Sequence, residues 1–246
     1  MVRTPEVTES LPQRIFSPIA SNYDRPALLL SLFQYRRWHR YLLSRIPFDG
    51  DGAVPANGLI LDMATGTGAV ALDILRRSGV RVVAADVTRA MLLQAQQRAV
   101  ASGDGERLRL VECDAESPPF KEAAFDAVVS TYLLRYVEDV PRTLACLSSL
   151  VKPGGTMASL DFAVPRGIAY PLWRLYTLLL LPAAGQAFSG SWRRTGNFLG
   201  PSIRGFYRRW PEERLLDAWR DAGMEAVQMR RLTLGGATVV WGKRRS

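Results

Sequence analysis

Residues 59–68 read Leu-Ile-Leu-Asp-Met-Ala-Thr-Gly-Thr-Gly, and this stretch decides the fold. Its aliphatic start is typical of a buried parallel strand, and Asp62 stands near the end of that strand. Gly66 and Gly68 allow a tight turn and a close approach of the backbone to a ligand. Residues 69–77 have helical spacing, so free amides at the start of that helix should face the turn. The stretch predicts a nucleotide-binding turn.

The glycine loop alone does not select the cofactor, because residues 66–71 also fit the dinucleotide pattern G-x-G-x-x-G/A. A second predicted strand, 80–85, is followed by Asp86, which stands 20 residues after the first glycine, where a carboxylate can accept from ribose hydroxyls. A third predicted strand, 107–112, precedes Asp114 and Ala115, which we place beside an adenine. Acidic residues after two successive strands fit a single adenosine.

The remaining strands favour S-adenosyl-L-methionine over a dinucleotide. Residues 125–130 predict a fourth strand, and Leu-Val-Lys-Pro-Gly-Gly at 150–155 predicts a helix end and a turn before a fifth strand at 156–162. This order resembles the class I methyltransferases, in which an acidic residue such as Asp62 lies near the amino-acid portion of the cofactor. The resemblance implies an α/β, Rossmann-like fold with a mostly parallel seven-stranded sheet and an antiparallel C-terminal strand. A dehydrogenase is the alternative.

A chain of 246 residues, 48% of them hydrophobic, is long enough for one domain with a large core. Cys113 and Cys146 fall in predicted core segments, so no disulfide framework is expected and the cytoplasm is the simpler setting. The polar residues 1–10 do not predict a signal peptide. His39, the only histidine, is expected at the surface, and no metal site is predicted.

The net charge of +9 is unevenly distributed along the chain. Residues 1–58 carry 7 basic and 5 acidic side chains, residues 59–165 carry 11 and 13, and residues 166–246 carry 14 and 5. The basic excess therefore lies outside the predicted cofactor-binding core, 59–165. It suits an anionic membrane surface, a nucleic acid, or solubility alone.

The segments around the core are interpreted as coverings of the site. Residues 1–58 include an amphipathic stretch, 26–46, predicted to be a lid over the cofactor or a helix that only packs on the core. Residues 166–210 include the apolar stretch 169–184, which is too short to span a bilayer. This stretch is predicted either to roof an apolar substrate pocket, in contact with a membrane surface, or to be a core helix. Residues 211–246 predict a helix and two closing strands.

Over nearly its whole length the chain resembles the C-methyltransferases of menaquinone and ubiquinone biosynthesis. The matching motifs are Phe16-x-x-Ile-Ala-x-x-Tyr-Asp24, Arg36-x-Trp-His-Arg40, Leu61-Asp-Met-Ala-Thr-Gly-Thr-Gly68, Asp114-Ala-Glu116, Phe125-Asp-Ala127, Leu150-x-Lys-Pro-Gly-Gly155, Ser202-Ile-Arg204 and Leu232-Thr-x-Gly235. One departure concerns the acceptor: the family's Phe-Gly-Leu-Arg-Asn is here Tyr-Leu-Leu-Arg-Tyr, at 132–136.

The predicted cofactor-binding residues come from the resemblance and from the strand ends. The resemblance implies contacts from Tyr23, Thr67, Asp86, Asp114, Ala115 and Thr131. The strand-end argument adds Asp62, Gly66 and Gly68.

The predicted reaction is methylation of a hydrophobic, lipid-like acceptor, in the first place ring C-methylation of demethylmenaquinol or a related prenyl quinol. Arg135 is the candidate catalytic residue, because its cation can hold a developing phenolate. An ion pair with Glu138 or Asp139 is the alternative for this side chain.

Two other functions stay open at this stage. One is methylation of another hydrophobic acceptor, such as a phospholipid amine or a polyketide or terpenoid metabolite. The other is action on nucleic acid, which is disfavoured because residues 130–134, Ser-Thr-Tyr-Leu-Leu, lack the motif common in base methyltransferases. The sequence predicts peripheral contact with an anionic membrane and leaves homodimer formation open.

Overall fold

The computed structural model describes residues 9–50 and 52–246; residues 1–8, which hold most of the polar start, and residue 51 lie outside the described residues. The strands are β1 (Leu59–Met63), β2 (Arg81–Asp86), β3 (Leu108–Glu112), β4 (Phe125–Thr131), β5 (Val151–Phe162), β6 (Met224–Leu232) and β7 (Ala237–Arg244). Within the described chain they form one sheet in the order β3-β2-β1-β4-β5-β7-β6.

Helices cover both faces of this sheet. They are α1 (Leu11–Phe16), α2 (Asp24–Leu30), α3 (Gln34–Leu43), α4 (Ala69–Arg77), α5 (Arg89–Ser102), α6 (Val140–Leu150), α7 (Ala169–Leu175), α8 (Leu181–Phe188), α9 (Gly190–Arg209) and α10 (Glu212–Asp221). A π-helical turn, Tyr176–Leu180, joins α7 to α8. None of the described helices is both long and apolar enough to cross a membrane.

The strand order explains where a ligand site forms. β1 pairs in parallel with β2 on one side and with β4 on the other, so the connections diverge at this strand. A crevice at the carboxyl ends of the strands is expected at such a point. β7 pairs antiparallel with both β5 and β6 and therefore runs against all the other strands. The predicted α/β, Rossmann-like fold is confirmed.

Two apolar clusters, one on each face, hold the helices to the sheet. One face of β1 contributes Ile60, which packs with Trp38 and Leu42 of α3 and with residues of α4. The other contributes Leu61, which belongs to a cluster with α6 and with Trp219 of α10. Successive residues of a strand point to opposite faces, so a continuous apolar strand serves both clusters.

The amphipathic stretch predicted at 26–46 is broken into two helices. α2 ends at Leu30, and Leu32 and Phe33 have positive φ values of 51° and 62° before α3 begins at Gln34. This left-handed backbone conformation is costly for residues with a Cβ atom. The apolar residues recur at helical intervals across the break, so the sequence pattern did not predict where α2 ends and α3 begins.

Two predictions about single residues were wrong. His39 is buried, 3% exposed, with its ring centroid 4.0 Å from that of Tyr35, and burial lowers its pKa to about 3. Its position on the inner side of α3 explains this. Cys113 and Cys146 are half-buried free thiols rather than core residues.

Candidate active site

A cavity of about 500 Å³ lies at the carboxyl ends of β1, β2 and β4. Small-molecule sites commonly measure roughly 300–1,000 Å³. Part of the wall comes from the loops after these strands, and part comes from the N-terminal leader, residues 9–46. The leader residues in the wall are Ser10, Leu11, Pro12, Phe16, Tyr23 and Tyr35. The leader thus covers the strand ends.

Most of the predicted site residues line this cavity. They are Tyr23, Gly66, Thr67, Asp86, Asp114, Ala115, Thr131 and Arg135. Asp62 and Gly68 do not belong to the wall that the described residues form. The structure therefore gathers all but two of the predicted residues in one place, and their contact with a cofactor stays a prediction.

Asp62 stabilises the glycine loop through buried hydrogen bonds. It is fully buried, and its Oδ2 accepts hydrogen bonds from the Thr65 hydroxyl at 2.6 Å and from the Ala71 amide at 3.0 Å. Burial raises the pKa of Asp62 to about 7, and these two hydrogen bonds oppose the rise. The carboxyl joins the end of β1 to the first turn of α4.

The two glycines of the loop have different structural roles. Both have positive φ, 56° at Gly66 and 77° at Gly68, which favours glycine. A Cβ on Gly68 would lie 2.9 Å from the Cβ of Ala95, so this glycine permits close packing against α5. A Cβ on Gly66 would meet none of the described atoms within 4 Å, and Gly66 lines the cavity. Gly66 therefore opens the loop toward a ligand.

Asp86 fixes the relation between β2 and the glycine loop. Its carboxylate accepts from the amides of Gly66 and Thr88, each at 2.8 Å, and burial raises its pKa. Asp114 lies exposed at the rim, where its Oδ1 accepts from the Glu116 amide at 2.9 Å. Both carboxylates keep oxygen lone pairs available at the cavity wall.

A polar network holds the leader on the glycine loop. Asp24 accepts from the Thr67 hydroxyl at 2.9 Å and from Arg98 Nη1 at 2.9 Å, and the same Nη1 donates to the Thr67 carbonyl at 2.9 Å. Gln13 of α1 adds a hydrogen bond from its Nε2 to the Val87 carbonyl at 3.0 Å. Because the Thr67 hydroxyl already donates to Asp24, Thr67 can contact a cofactor through its backbone. Asp24 stands in a quoted motif, whereas no sequence signal pointed to Arg98.

Aromatic rings form the wall between the leader and α9. Tyr23 stacks on Trp192 with a centroid distance of 5.7 Å, and Phe16 meets Tyr136 edge to face at 5.5 Å. Tyr136 in turn stacks on Phe198 at 6.1 Å. Such a wall is suited to a flat, apolar ring.

Arg135 is a buried cation in this wall. It is 7% exposed, and its Nη1 donates to the Ser202 hydroxyl over a long 3.4 Å. Its Nε and Nη2 have no hydrogen-bond partner among residues 9–50 and 52–246. The guanidinium carbon lies 4.9 Å from the ring centroid of Tyr136 and 5.5 Å from that of Phe162. A buried donor without a partner suits a ligand that carries acceptor oxygens.

The ion pair considered for Arg135 does not form. Neither Glu138 nor Asp139 is bridged to it within the described chain. Asp139 instead caps α6, where its Oδ1 accepts from the Arg142 amide at 3.0 Å. The carboxyl group whose pKa is affected by the charge of Arg135 is that of Asp161, at the end of β5. Burial raises the pKa of Asp161 to about 7, and the charge of Arg135 opposes that rise.

The first of the two roles predicted for the apolar stretch 169–184, a roof over the substrate pocket, is not found among the described residues. None of the residues of this stretch belongs to the wall formed by the described chain. α9 backs the cavity instead, through Trp192, Phe198 and Ser202. α9 had no separate signal in the sequence, because its many glycines and arginines obscure helical spacing.

The fold and the cavity together define the class of protein. An open glycine, acidic groups after β2 and β3, and a covering leader fit the amino-acid, ribose and adenine parts of S-adenosyl-L-methionine. The chain is similar in fold to a possible histamine N-methyltransferase from Thermotoga maritima, with a TM-score of 0.62, 17% identity and coverage of 95% of this chain and 99% of that one. It is likewise similar to phosphoethanolamine N-methyltransferase 2 of Haemonchus contortus, with a TM-score of 0.64, 13% identity and coverage of 99% and 62%. The protein is a class I, S-adenosylmethionine-dependent methyltransferase.

The family is narrower than the class. The model of the ubiE/COQ5 methyltransferase family matches residues 5–244. The ubiquinone/menaquinone biosynthesis C-methyltransferase UbiE of Desulfotalea psychrophila is 32% identical over 233 residues, which cover 94% of this chain and 89% of that protein. The UbiE of Paracoccus denitrificans is 32% identical over 228 residues, covering 92% and 87%. The chain belongs to the ubiE/COQ5 methyltransferase family.

Proposed function

We propose that this enzyme transfers a methyl group from S-adenosylmethionine to a ring carbon of a prenyl hydroquinone, demethylmenaquinol or a near relative. The acceptor is a lipid, and we place the enzyme in the cytoplasm at the inner face of the membrane. The observation that carries the proposal is the buried Arg135, which lines the cavity and lies over the ring of Tyr136 in the same wall. Relatives named as quinone C-methyltransferases support it.

The residues around the glycine loop would hold the cofactor. Asp86 would accept from the ribose, Asp114 and Ala115 would border the adenine, and Gly66 would let the backbone approach the ligand. When bound, S-adenosylmethionine supplies an electrophilic methyl group. The protein therefore has to align the acceptor and exclude water rather than supply a strong electrophile.

Arg135 would activate the acceptor. A phenol has a pKa near 10 and is mostly protonated at neutral pH, so its ring carbon is weakly nucleophilic. The guanidinium can donate from Nε and Nη2, the atoms without a partner in the described chain. Hydrogen bonds to the ionised form of a phenol lower its pKa, so the phenol proton leaves to solvent as the ring binds, and the phenolate raises the electron density at the ring carbon beside it. That carbon takes the methyl group and then loses its own proton, which restores the aromatic ring.

The leader and α9 would keep the acceptor in place. Tyr23 and Phe16 close one side of the cavity, and the Asp24 network anchors that side to the glycine loop. A ring held between these aromatic side chains is shielded from water, so the methyl group is transferred to the acceptor rather than lost to hydrolysis.

A second candidate is methylation of another hydrophobic acceptor. Leu133 and Tyr136, which stand where the family has Gly and Asn, both line the cavity. They narrow the region beside Arg135, and this favours an acceptor that is smaller or differently shaped at the ring. A phospholipid amine or a polyketide or terpenoid metabolite is the class to test.

The test is methyl transfer from labelled S-adenosylmethionine to a total lipid extract of a strain that lacks its quinone methyltransferase. Label should comigrate with the methylated quinone for the unaltered enzyme. Asp86→Ala should lose cofactor binding, and Arg135→Ala should bind cofactor but lose transfer. Arg109→Gln, which changes an exposed arginine of β3, is the matched control and should keep full activity. Label in a phospholipid or in another band would replace the quinone proposal with the second candidate.

A further inference from the structure

Exposed apolar side chains lie on two segments that are distant in sequence and contact each other in the fold. We define the apolar face as Leu29, Leu32, Phe33, Ile168, Leu172 and Leu179. Its most exposed members are Ile168 at 94%, Leu172 at 69%, Leu32 at 65% and Phe33 at 62%. The Tyr176 hydroxyl donates to the Leu30 carbonyl and joins the two segments. Exposed apolar surface of this extent marks a place where the protein meets a partner or a membrane.

The backbone presents part of this face at a cost. Leu32 and Phe33 hold positive φ in the break between α2 and α3, although neither is glycine. Strained backbone persists where the surrounding structure enforces it, and it clusters at functional sites. Here the strain holds two large apolar side chains out of the core. A purely structural turn would be served better by glycine or asparagine.

The charge around the apolar face is mostly positive. Residues 25–48 and 166–211 contain no Asp or Glu, while they include Arg36, Arg37 and Arg174. These three arginines are exposed. Glu212, which directly follows the second of the two segments, is paired with Arg166 and Arg231. Apolar side chains with arginines beside them suit the boundary between the acyl chains and the anionic headgroups of a bilayer.

The apolar face and the cavity share the leader. Phe33 lies two residues before Tyr35, which lines the cavity, and α2 follows directly on Tyr23, which also lines it. The apolar face is therefore continuous in the chain with residues that line the cavity.

We propose that the apolar face inserts into the headgroup region of an anionic lipid bilayer and that the lipid acceptor enters the cavity from there. The entry of the acceptor rests on the proposed function, whereas the docking itself does not. The arginines would lie at the phosphate level, with the leucines and Phe33 below them.

The experiment is sedimentation of the full chain with vesicles of phosphatidylcholine alone or with added phosphatidylglycerol. Leu32→Asn/Phe33→Asn removes apolar surface while keeping residues that tolerate positive φ. Its binding to the anionic vesicles should fall about tenfold or more, because burial of one such side chain is worth roughly that factor. Arg36→Gln/Arg37→Gln should weaken binding roughly 25-fold, and added salt should release the unaltered protein. Leu93→Ser/Val100→Ser, which changes exposed apolar residues of α5, is the matched control and should bind normally.

The outcomes separate docking from catalysis. The asparagine variant should methylate a short-chain quinol in solution at the normal rate and a vesicle-borne quinol slowly. Equal binding of the asparagine variant and the control, or equal binding of the unaltered protein to both vesicle types at every salt concentration, would overturn the proposal. So would a dimer of the unaltered protein that the asparagine variant loses, because the face would then join two copies. Vesicle binding without methylation of any quinol would refute the proposed function and leave docking intact.

Discussion

Replacement of Arg135 by glutamine separates a catalytic cation from a structural one. The side chain makes one long hydrogen bond, 3.4 Å to Ser202, and packs against the rings of Tyr136 and Phe162. Cation–π contacts contribute roughly 0.5–2 kcal/mol, whereas burial of a charge without a full set of partners costs several kcal/mol. The free energy of unfolding of Arg135→Gln should therefore equal or exceed that of the unaltered protein.

Activity should change in the opposite direction. Hydrogen bonds to a charged group contribute about 1.5–3 kcal/mol, and 1.4 kcal/mol is a factor of ten in rate. Loss of the guanidinium should lower kcat/KM for a short-chain quinol roughly 10- to 100-fold at pH 7, with cofactor affinity unchanged. Because the acceptor phenol has a pKa near 10, the deficit should shrink as the pH rises from 7 to 9. Arg135→Lys keeps the charge but lacks the planar guanidinium. Its kcat/KM should lie between those of the unaltered protein and Arg135→Gln.

The assay is initial rates of methylation between pH 6.5 and 9, with thermal unfolding of each variant in parallel and Arg109→Gln as the control. A catalytic role of Arg135 is refuted if Arg135→Gln retains more than about one third of the activity of the unaltered protein at pH 7. It is also refuted if the deficit is the same at every pH and the variant unfolds at a lower temperature, because Arg135 would then act through structure.

Three further predictions follow from the geometry around the glycine loop. Asp24→Asn removes the negative charge that contacts Arg98 and the Thr67 hydroxyl. The affinity for S-adenosylmethionine, measured by calorimetry, should fall about fivefold. The loss is modest because the ion pair between Asp24 and Arg98 is partly exposed. Asp62→Asn should flatten the dependence of Tm on pH. Burial raises the pKa of Asp62 to about 7, so the folded protein keeps a proton that the unfolded chain releases above about pH 4. The unaltered protein should therefore lose stability relative to the variant between pH 4 and 7 and no further above pH 7, on the order of 4 kcal/mol or roughly 8–16 °C in Tm. Ala64→Gly should raise Tm by about 1–3 °C by scanning calorimetry, because Ala64 has φ of 60°.

Asp24→Asn has a matched control, and each of the three variants has a result that would contradict its prediction. Asp217→Asn, which breaks an exposed pair with Arg220, should leave cofactor affinity unchanged, and an equal loss in both variants would contradict the role of the Asp24 network. Parallel Tm curves for Asp62→Asn and the unaltered protein would show that Asp62 is not protonated in the fold. A lower Tm for Ala64→Gly would mean that the flexibility it adds to the unfolded chain outweighs the strain it relieves.

The sheet and its ligand-binding edge could be predicted from the amino-acid sequence. A strand such as 59–63 is apolar because both faces are buried, and the acidic residues after the strands mark the carboxyl ends. Local spacing is sufficient for this, since glycines and strand ends in successive βα units meet at one edge in any fold of this class. Asp86, Asp114, Thr67 and Arg135 reached the cavity for that reason.

The arrangement of the segments that cover the site could not be predicted from local sequence patterns, because it depends on long-range packing. The contact of Asp24 with Arg98 joins residues 74 positions apart, and no local pattern predicts such a pairing. The burial of His39, the backing of the cavity by α9 and the exposure of Leu172 depend on which side of each helix faces a neighbour. Helical spacing shows that a segment has an apolar side, but the packing partners determine whether that side is covered by the core or left exposed. The apolar face could therefore be found only after the leader and the 166–210 segment were placed together.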